Sequence, residues 1–302
     1  MKIALIGGKG MLGTDLADVC RKHGHEPLIL DLPAVDITNR ISITDAMPRC
    51  ECAVNCAAYT RVDDAEKERE IAMAINADGA GNVALACRDR GVQLLHISTD
   101  YIFNGKKGTS YVEDDAPEPL NYYGLTKLRG EESVRAANPA ALIVRTQSLY
   151  GLQGRNFIKA ILGKMLQGQP TLNVVNDQVS SPTYTRHLAE ALIRLAVLRR
   201  SGIVHAASRG QVSWFDFARA VVERVGACPA KGEAPVRVEP LTTAQLNFPA
   251  LRPAHSVLDT SLYESWTANP MPTWQDGLDA YLAEEPLAHE ARKKFQGLEK
   301  SD

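Results

Sequence analysis

No apolar run in this 302-residue chain is long enough to cross a bilayer as a helix. An excess of charge is missing too: 34 Lys and Arg stand against 36 Asp and Glu. Without a basic footprint, neither nucleic acid nor an anionic membrane surface is expected as a partner. The six cysteines, Cys20, Cys50, Cys52, Cys56, Cys87 and Cys228, form no Cys-x-x-Cys pair. Reduced thiols are the expected state. Cys52–Cys56 reads as a buried strand rather than a metal site. No Asp/Glu/His cluster has convincing ligand spacing, and His96, His187 and His205 sit in apolar surroundings, so no metal is expected. Repeats and low-complexity tracts are absent. A strand-like segment begins at Lys2, which leaves no room for a signal peptide and points to a cytosolic location.

What is present is ordinary globular composition, 45% hydrophobic and 23% charged, with ample length for a large core. In the first half, short runs rich in Val, Ile and Leu predict strands at 2–7, 26–30, 52–56, 92–98 and 140–146. Helical patterns lie between them at 11–23, 63–89 and 122–137. Apolar strands with little alternation suit a parallel sheet covered on both faces. The order βαβα predicts an α/β fold with a doubly wound, Rossmann-type sheet.

Beyond residue 150 the texture changes. Helices are expected near 155–167, 184–198, 213–227 and 274–285, separated by loops holding Pro170, Pro182, Pro229, Pro235, Pro240, Pro249, Pro253, Pro270 and Pro272. The expected division is a dinucleotide-binding domain over 1–150 and a smaller substrate lobe over 151–302. Part of 176–210 rejoins the sheet, with Ile203–His205 as a final strand. Residues 286–302 are mostly polar and charged and read as a solvated end.

Gly7, Gly10 and Gly13 form Gly-x-x-Gly-x-x-Gly between the first strand and the first helix. Glycine lets backbone approach a pyrophosphate, and the helix N-terminus offers it unpaired N–H groups. Asp31, closing the second strand, suits an adenosine ribose and repels a 2′-phosphate. Lys9 points the other way, and the choice between NADH and NADPH stays open. Asp36 and Ile37 either flank the adenine or make a turn. Ala57, Ala58 and Tyr59 follow Asn55 and Cys56 after the third strand, where small residues let a cofactor lie close. Ser98, Thr99 and Asp100 end the fourth strand, at the carboxyl edge where α/β sheets bind ligands. Thr99 is either a donor to a substrate carbonyl or a turn cap.

Tyr123 and Lys127 stand four apart in a helical pattern and share a face. An ammonium beside a phenol favours the phenolate, which would lower the tyrosine pKa and make it an acid–base group. Tyr122, five residues from Lys127, is rotated away.

The chain resembles the extended short-chain dehydrogenase/reductase family over residues 1–285. The likeness rests on the glycine turn 7–13 and on 55–66, 75–78, 98–105, 123–131, 145–146, 156–157, 175–183 and 252–258. The resemblance implies an NAD(P)H-dependent reduction of the C4 ketone of a nucleotide-activated deoxysugar, dTDP-4-dehydro-L-rhamnose foremost, in cell-surface polysaccharide biosynthesis. It implies Thr99, Tyr123 and Lys127 as the catalytic trio. It adds Met11, Leu12 and Asn76 to the cofactor contacts already named, together with Tyr123 and Lys127. Substrate contacts are expected at Thr99, Asp100, Tyr101, Asn156, Gln178, Arg252 and Ser256, with the Arg252 fork on the diphosphate or as a plain surface charge. Family members often carry a tryptophan where this chain has Ser148, which opens the question of which sugar. Two other readings are a nucleotide-sugar 4-epimerase, or epimerase-reductase, and a non-catalytic dinucleotide-binding regulatory subunit, since the beta subunit of methionine adenosyltransferase resembles this family. A homodimer is a further expectation.

Overall fold

The computed structural model describes residues 1–226 and 236–296. Cys228, Pro229 and Pro235 lie outside them, as do residues 297–302 of the expected solvated end. The first half runs β1 (Lys2–Ile6), α1 (Met11–Lys22), β2 (Glu26–Leu30), α2 (Arg40–Ala46), β3 (Cys52–Asn55), α3 (Arg69–Met73), α4 (Ala80–Asp89), β4 (Gln93–Thr99), α5 (Tyr122–Ala137) and β5 (Leu142–Thr146). The second half runs β6 (Leu149–Tyr150), α6 (Phe157–Leu166), β7 (Thr171–Val175), β8 (Val179–Ser180), β9 (Thr183–Tyr184), α7 (Thr185–Leu198) and β10 (Gly202–His205). It ends with β11 (Val212–Ser213), α8 (Trp214–Arg224), β12 (Arg237–Leu241), α9 (Ser261–Thr267), α10 (Trp274–Glu284) and α11 (Pro286–Gln296).

Six parallel strands form the central sheet in the order β10-β5-β4-β3-β1-β2. This is the doubly wound α/β arrangement. Every residue of β3 and β5 is buried, because helices cover both faces. On one face Leu12, Leu16 and Val19 of α1 pack with Leu188, Leu192 and Leu195 of α7. On the other, Val83, Ala84 and Cys87 of α4 pack beneath Ala4, Ile6 and Ile143. The order reverses between β1 and β3, so the carboxyl ends of those strands flank a crevice. The second half contributes α7 and β10 to the sheet layer. It also builds a separate core around Tyr150, Ile158, Leu162, Tyr184, Phe217 and Tyr281, beside the parallel pair β7 and β12.

Two expectations change. The helical pattern over 63–89 is not one helix. A 3₁₀ turn (Asp64–Glu66), α3, a π-helical turn (Ala74–Gly79) and α4 share it. The wide turn brings buried Asn76 against α5, where its amide donates to the Thr126 hydroxyl at 2.9 Å and its oxygen accepts from the Tyr59 N–H at 2.8 Å. Only glycine fits opposite it: a Cβ on Gly130 would lie 2.2 Å from the Asn76 carbonyl oxygen. The second change is at the C-terminus. Residues 286–296 are helical, and Ala288 and Ala291 are fully buried with Leu287 and Phe295 packed beside them. The charged residues there occupy one face only, and a stripe of small apolar residues docks on the lobe.

Candidate active site

The chain leaves β1 through Gly7, whose positive φ of 73° favours glycine. A Cβ there would lie 2.7 Å from the Ala57 nitrogen, and one on Gly13 would lie 2.6 Å from the Gly7 oxygen. These close approaches fold the turn flat onto the first turn of α1. Gly10 is the N-cap and offers no side-chain cap, so the first N–H groups of the helix have no side-chain acceptor at the cap and are suited to an anion. Beside the turn is a cavity of about 670 Å³ lined by Gly7, Lys9, Gly10, Asp31, Asp36, Ile37, Ala57 and Ala58. Leu32, Val35, Ile71 and Ile75 complete its apolar walls; none of these is among the cofactor contacts expected from the sequence, because they come from two segments far apart in the chain.

The two opposing cues at this end meet directly. One Asp31 oxygen accepts from the Lys9 backbone N–H at 2.7 Å and the other from the Leu32 N–H at 2.8 Å. The Lys9 ammonium donates to the Leu32 carbonyl at 3.1 Å. Asp36 makes a turn, accepting from the Thr38 N–H and hydroxyl at 2.9 and 2.7 Å, while it also lines the cavity. Tyr59 is buried, and its phenol donates to Glu68 at 2.8 Å. These features fit a dinucleotide: glycines where a Cβ would collide, a helix start without a cap, and a carboxylate at the end of β2.

A second cavity, of about 530 Å³, continues from Gly10, Met11, Leu12 and Gly13 to Thr99, Asp100, Tyr101, Tyr123 and Lys127. The helix α5 aims the last two. Asn121 caps it, accepting from the Gly124 N–H at 2.7 Å, and is itself tied to the Leu251 carbonyl at 2.7 Å. Gly124 permits the approach, since a Cβ there would overlap the Tyr101 carbonyl oxygen at 2.1 Å. The Tyr123 ring meets Tyr101 edge-on at 5.8 Å between centroids. Tyr122 instead lies under the Arg69 guanidinium at 4.9 Å and does not line the cavity.

Burial dominates the electrostatics. Desolvation pushes the Tyr123 phenol up to about 12, with the Thr99 hydroxyl acting the other way. Desolvation also takes Lys127 down to about 8, opposed by the Glu131 carboxylate one turn along. The expected lowering of the phenol by the ammonium is not what this structure gives. Lys127 donates to the Ile97 carbonyl at 2.7 Å, and what acts on the phenol is burial first, then the Thr99 hydroxyl and the Asp100 carboxylate. Thr99 donates to Asp100 at 3.0 Å and accepts from the Tyr101 N–H at 3.2 Å. Asp100, fully buried, is pushed up to about 6 by desolvation. Behind the trio, Arg145 grips Glu131 through two bonds of 3.0 and 2.8 Å, and Ser98 donates to the same carboxylate at 2.6 Å.

Four residues expected to touch substrate do not line this cavity: Asn156, Gln178, Arg252 and Ser256. Asn156 caps α6, accepting from the Lys159 N–H at 2.9 Å and donating to the Gly151 carbonyl and the Tyr281 hydroxyl. Gln178 donates to Thr243 at 2.8 Å. Arg252 forks onto Asp63 at 3.0 and 2.7 Å over the Phe248 ring. Their polar atoms are engaged by neighbours that sequence spacing does not reveal. Ser256 is buried and bears on Asp100. Gln147, Arg155 and Trp214 line the cavity and were missed, since nothing in their local pattern marks them.

Comparison with known proteins gives consistent matches. The family described as RmlD substrate binding domain matches residues 1–286. A dTDP-4-dehydrorhamnose reductase of Mycolicibacterium smegmatis is 40% identical over 285 residues, covering 93% of this chain and 85% of that protein. A dTDP-4-keto-6-deoxy-D-glucose reductase of Streptomyces niveus is 36% identical over 275 residues, covering 90% and 93%. Among solved structures, a dTDP-4-dehydrorhamnose reductase from Bacillus anthracis in complex with NADP superposes with a TM-score of 0.88 at 34% identity, covering 94% of this chain and 99% of that one.

Proposed function

The chain belongs to the family described as RmlD substrate binding domain, and on that premise we propose that it is an NAD(P)H-dependent reductase of a nucleotide-activated 4-keto deoxysugar. The substrate we assign is dTDP-4-dehydro-L-rhamnose and the product dTDP-L-rhamnose, in keeping with the activity named for the Mycolicibacterium smegmatis relative. One observation carries the reading: a single cavity has the glycine turn at one end and Thr99, Tyr123 and Lys127 at the other.

When bound, the reduced dinucleotide supplies the hydride that C4 accepts. Tyr123 gives its phenolic proton to the C4 oxygen. A phenol held at about 12 is protonated at neutral pH and therefore available as the acid. The Thr99 hydroxyl turns from Asp100 to donate to the same oxygen, stabilising charge that develops there. Lys127 would hold the nicotinamide ribose, and its ammonium would steady the phenolate left by proton transfer. Asp100 and Tyr101 flank the sugar, with Ser256 supporting Asp100. Asn156, Gln178 and Arg252 shape the lobe around the nucleotide. Residues 1–150, rejoined by β10, serve as the dinucleotide domain, and most of 151–302 as the substrate lobe.

The protein mixed with dTDP-4-dehydro-L-rhamnose and NADH or NADPH should consume the nicotinamide absorbance stoichiometrically. Sugar inversion without cofactor loss would mean a 4-epimerase. Binding without turnover would mean a regulatory subunit. A cytosolic location accords with five free cysteines and with the lack, among the described residues, of a helix long and apolar enough to cross a membrane. A homodimer accords with Val197, 61% exposed at the end of α7. Sedimentation at micromolar concentration tests the homodimer.

A further inference from the structure

Gln147 is 1% exposed, and neither its amide nitrogen nor its amide oxygen has a hydrogen-bond partner among the described residues. A buried amide left unpaired is unfavourable, and native interiors pair most such groups. Gln147 lines the catalytic cavity, and so do Thr146 and Asp100, each with an unpaired buried oxygen of its own. Four unpaired buried atoms thus belong to residues lining the cavity where a ligand would lie, while nine others among the described residues, His96, Tyr150 and Tyr184 among their owners, lie on residues away from it. Gln93, which also has both amide atoms unpaired, is partly exposed and lines neither of the two cavities.

The sheet says which ligand. Thr99 at the end of β4 pairs with Thr146 at the end of β5, so Gln147 begins one strand beyond the reacting centre. The glycine turn follows β1, on the opposite side of β4. A dinucleotide running from the glycine turn to Thr99 therefore approaches from one side, and Gln147 stands on the other. The wall there leads into the substrate lobe: the adjacent Ser148 donates its hydroxyl to Ser180 of that lobe at 3.0 Å, and Trp214 of the lobe lines the same cavity. An amide both donates and accepts, which matches a sugar hydroxyl and not a purely apolar substituent.

Resting on the reductase reading above, we propose that Gln147 is a specificity-determining residue that hydrogen-bonds the ring hydroxyl next to the C4 ketone, so that the substrate class is restricted to 4-keto sugar nucleotides bearing a hydroxyl at C3. A site built to pair a hydroxyl rejects the analogue lacking it, because the amide is then left unpaired.

The test compares a dTDP-4-keto-6-deoxyhexose with its 3-deoxy analogue, in the wild-type protein and in Gln147→Met. The wild type should favour the hydroxylated substrate by roughly 10- to 100-fold in kcat/KM. Gln147→Met should lose most of that preference, keep its cofactor affinity, and melt no lower than the wild type without ligand. An intact preference in the variant overturns the proposal. So does a fall in cofactor affinity with the preference unchanged, which would give the amide to the nicotinamide. A marked drop in thermal midpoint overturns it as well, since it would make the side chain structural. Calorimetric binding of the two nucleotides separates this idea from its premise. Discrimination in binding that Gln147→Met abolishes, without turnover of either nucleotide, supports the Gln147 assignment and sinks only the reductase reading.

Discussion

At the residue scale the chemistry reduces to one phenol and one amine that share a buried pocket. Tyr123→Phe removes the proton and little else, since the ring still packs edge-on against Tyr101. Turnover should fall by about 10²- to 10⁴-fold while the cofactor dissociation constant, read by fluorescence titration, stays put. Unchanged turnover would take Tyr123 out of the mechanism. Lys127 sets the pH behaviour. Its amine, held at about 8 against an ordinary 10.5, loses its charge as pH rises through 8. A profile of kcat/KM, which reports the free enzyme, should therefore descend above pH 8. Because the Glu131 carboxylate raises the Lys127 pKa, Glu131→Gln should move that limb to lower pH. A limb that stays in place in the variant would assign it to another group. The same shift affects stability. The unfolded chain binds the extra proton between pH 8 and 10.5, so this lysine's contribution to stability improves as pH rises across that window.

At the element scale, α5 is what brings the pair into the crevice, and its start is held by Asn121. Asn121→Ala loses both the cap to Gly124 and the tie to Leu251. The expected cost is about 1 to 2 kcal/mol, measurable as a shifted urea midpoint with an unchanged slope. A shift within error would mean that tertiary packing alone fixes the helix. The bounds of α5, Tyr122–Ala137, follow from the sequence because an Asn cap, an i, i+4 pattern and a helix-ending Asn138 are local signals. The same holds for β1 to β5, short apolar runs between polar turns. The region 63–89 was less legible. Its apolar spacing fits an α-helix, yet the π turn at Ala74–Gly79 depends on Asn76 finding Tyr59 and Thr126, which are distant in sequence. For the candidate site, the glycine turn and the Tyr–Lys pair could be read directly. The wall formed by Gln147, Arg155 and Trp214 could not.

At the scale of the whole molecule, two cores divide the work. One packs around the sheet, and the other fills the lobe whose last element is α11. The charged composition of α11 hid its role, though Leu287, Ala288, Ala291 and Phe295 recur at helical spacing. Ending the chain after Glu285 strips these residues from the lobe, together with the bonds from Arg292 to the Leu282 carbonyl at 3.0 Å and from Lys294 to the Leu166 carbonyl at 2.9 Å. The truncated protein should melt several degrees lower and lose substrate affinity before cofactor affinity, because the glycine turn belongs to the other core. Equal loss of both would make the molecule a single cooperative unit. The sequence by itself determined the order of strands and helices, the glycine turn and the shared face of Tyr123 and Lys127, since each depends on neighbours within a few residues. Tertiary structure alone decided which polar atoms found partners and where the titrating groups came to rest. Pairing needs segments far apart in the chain, and desolvation depends on whatever packs over the group.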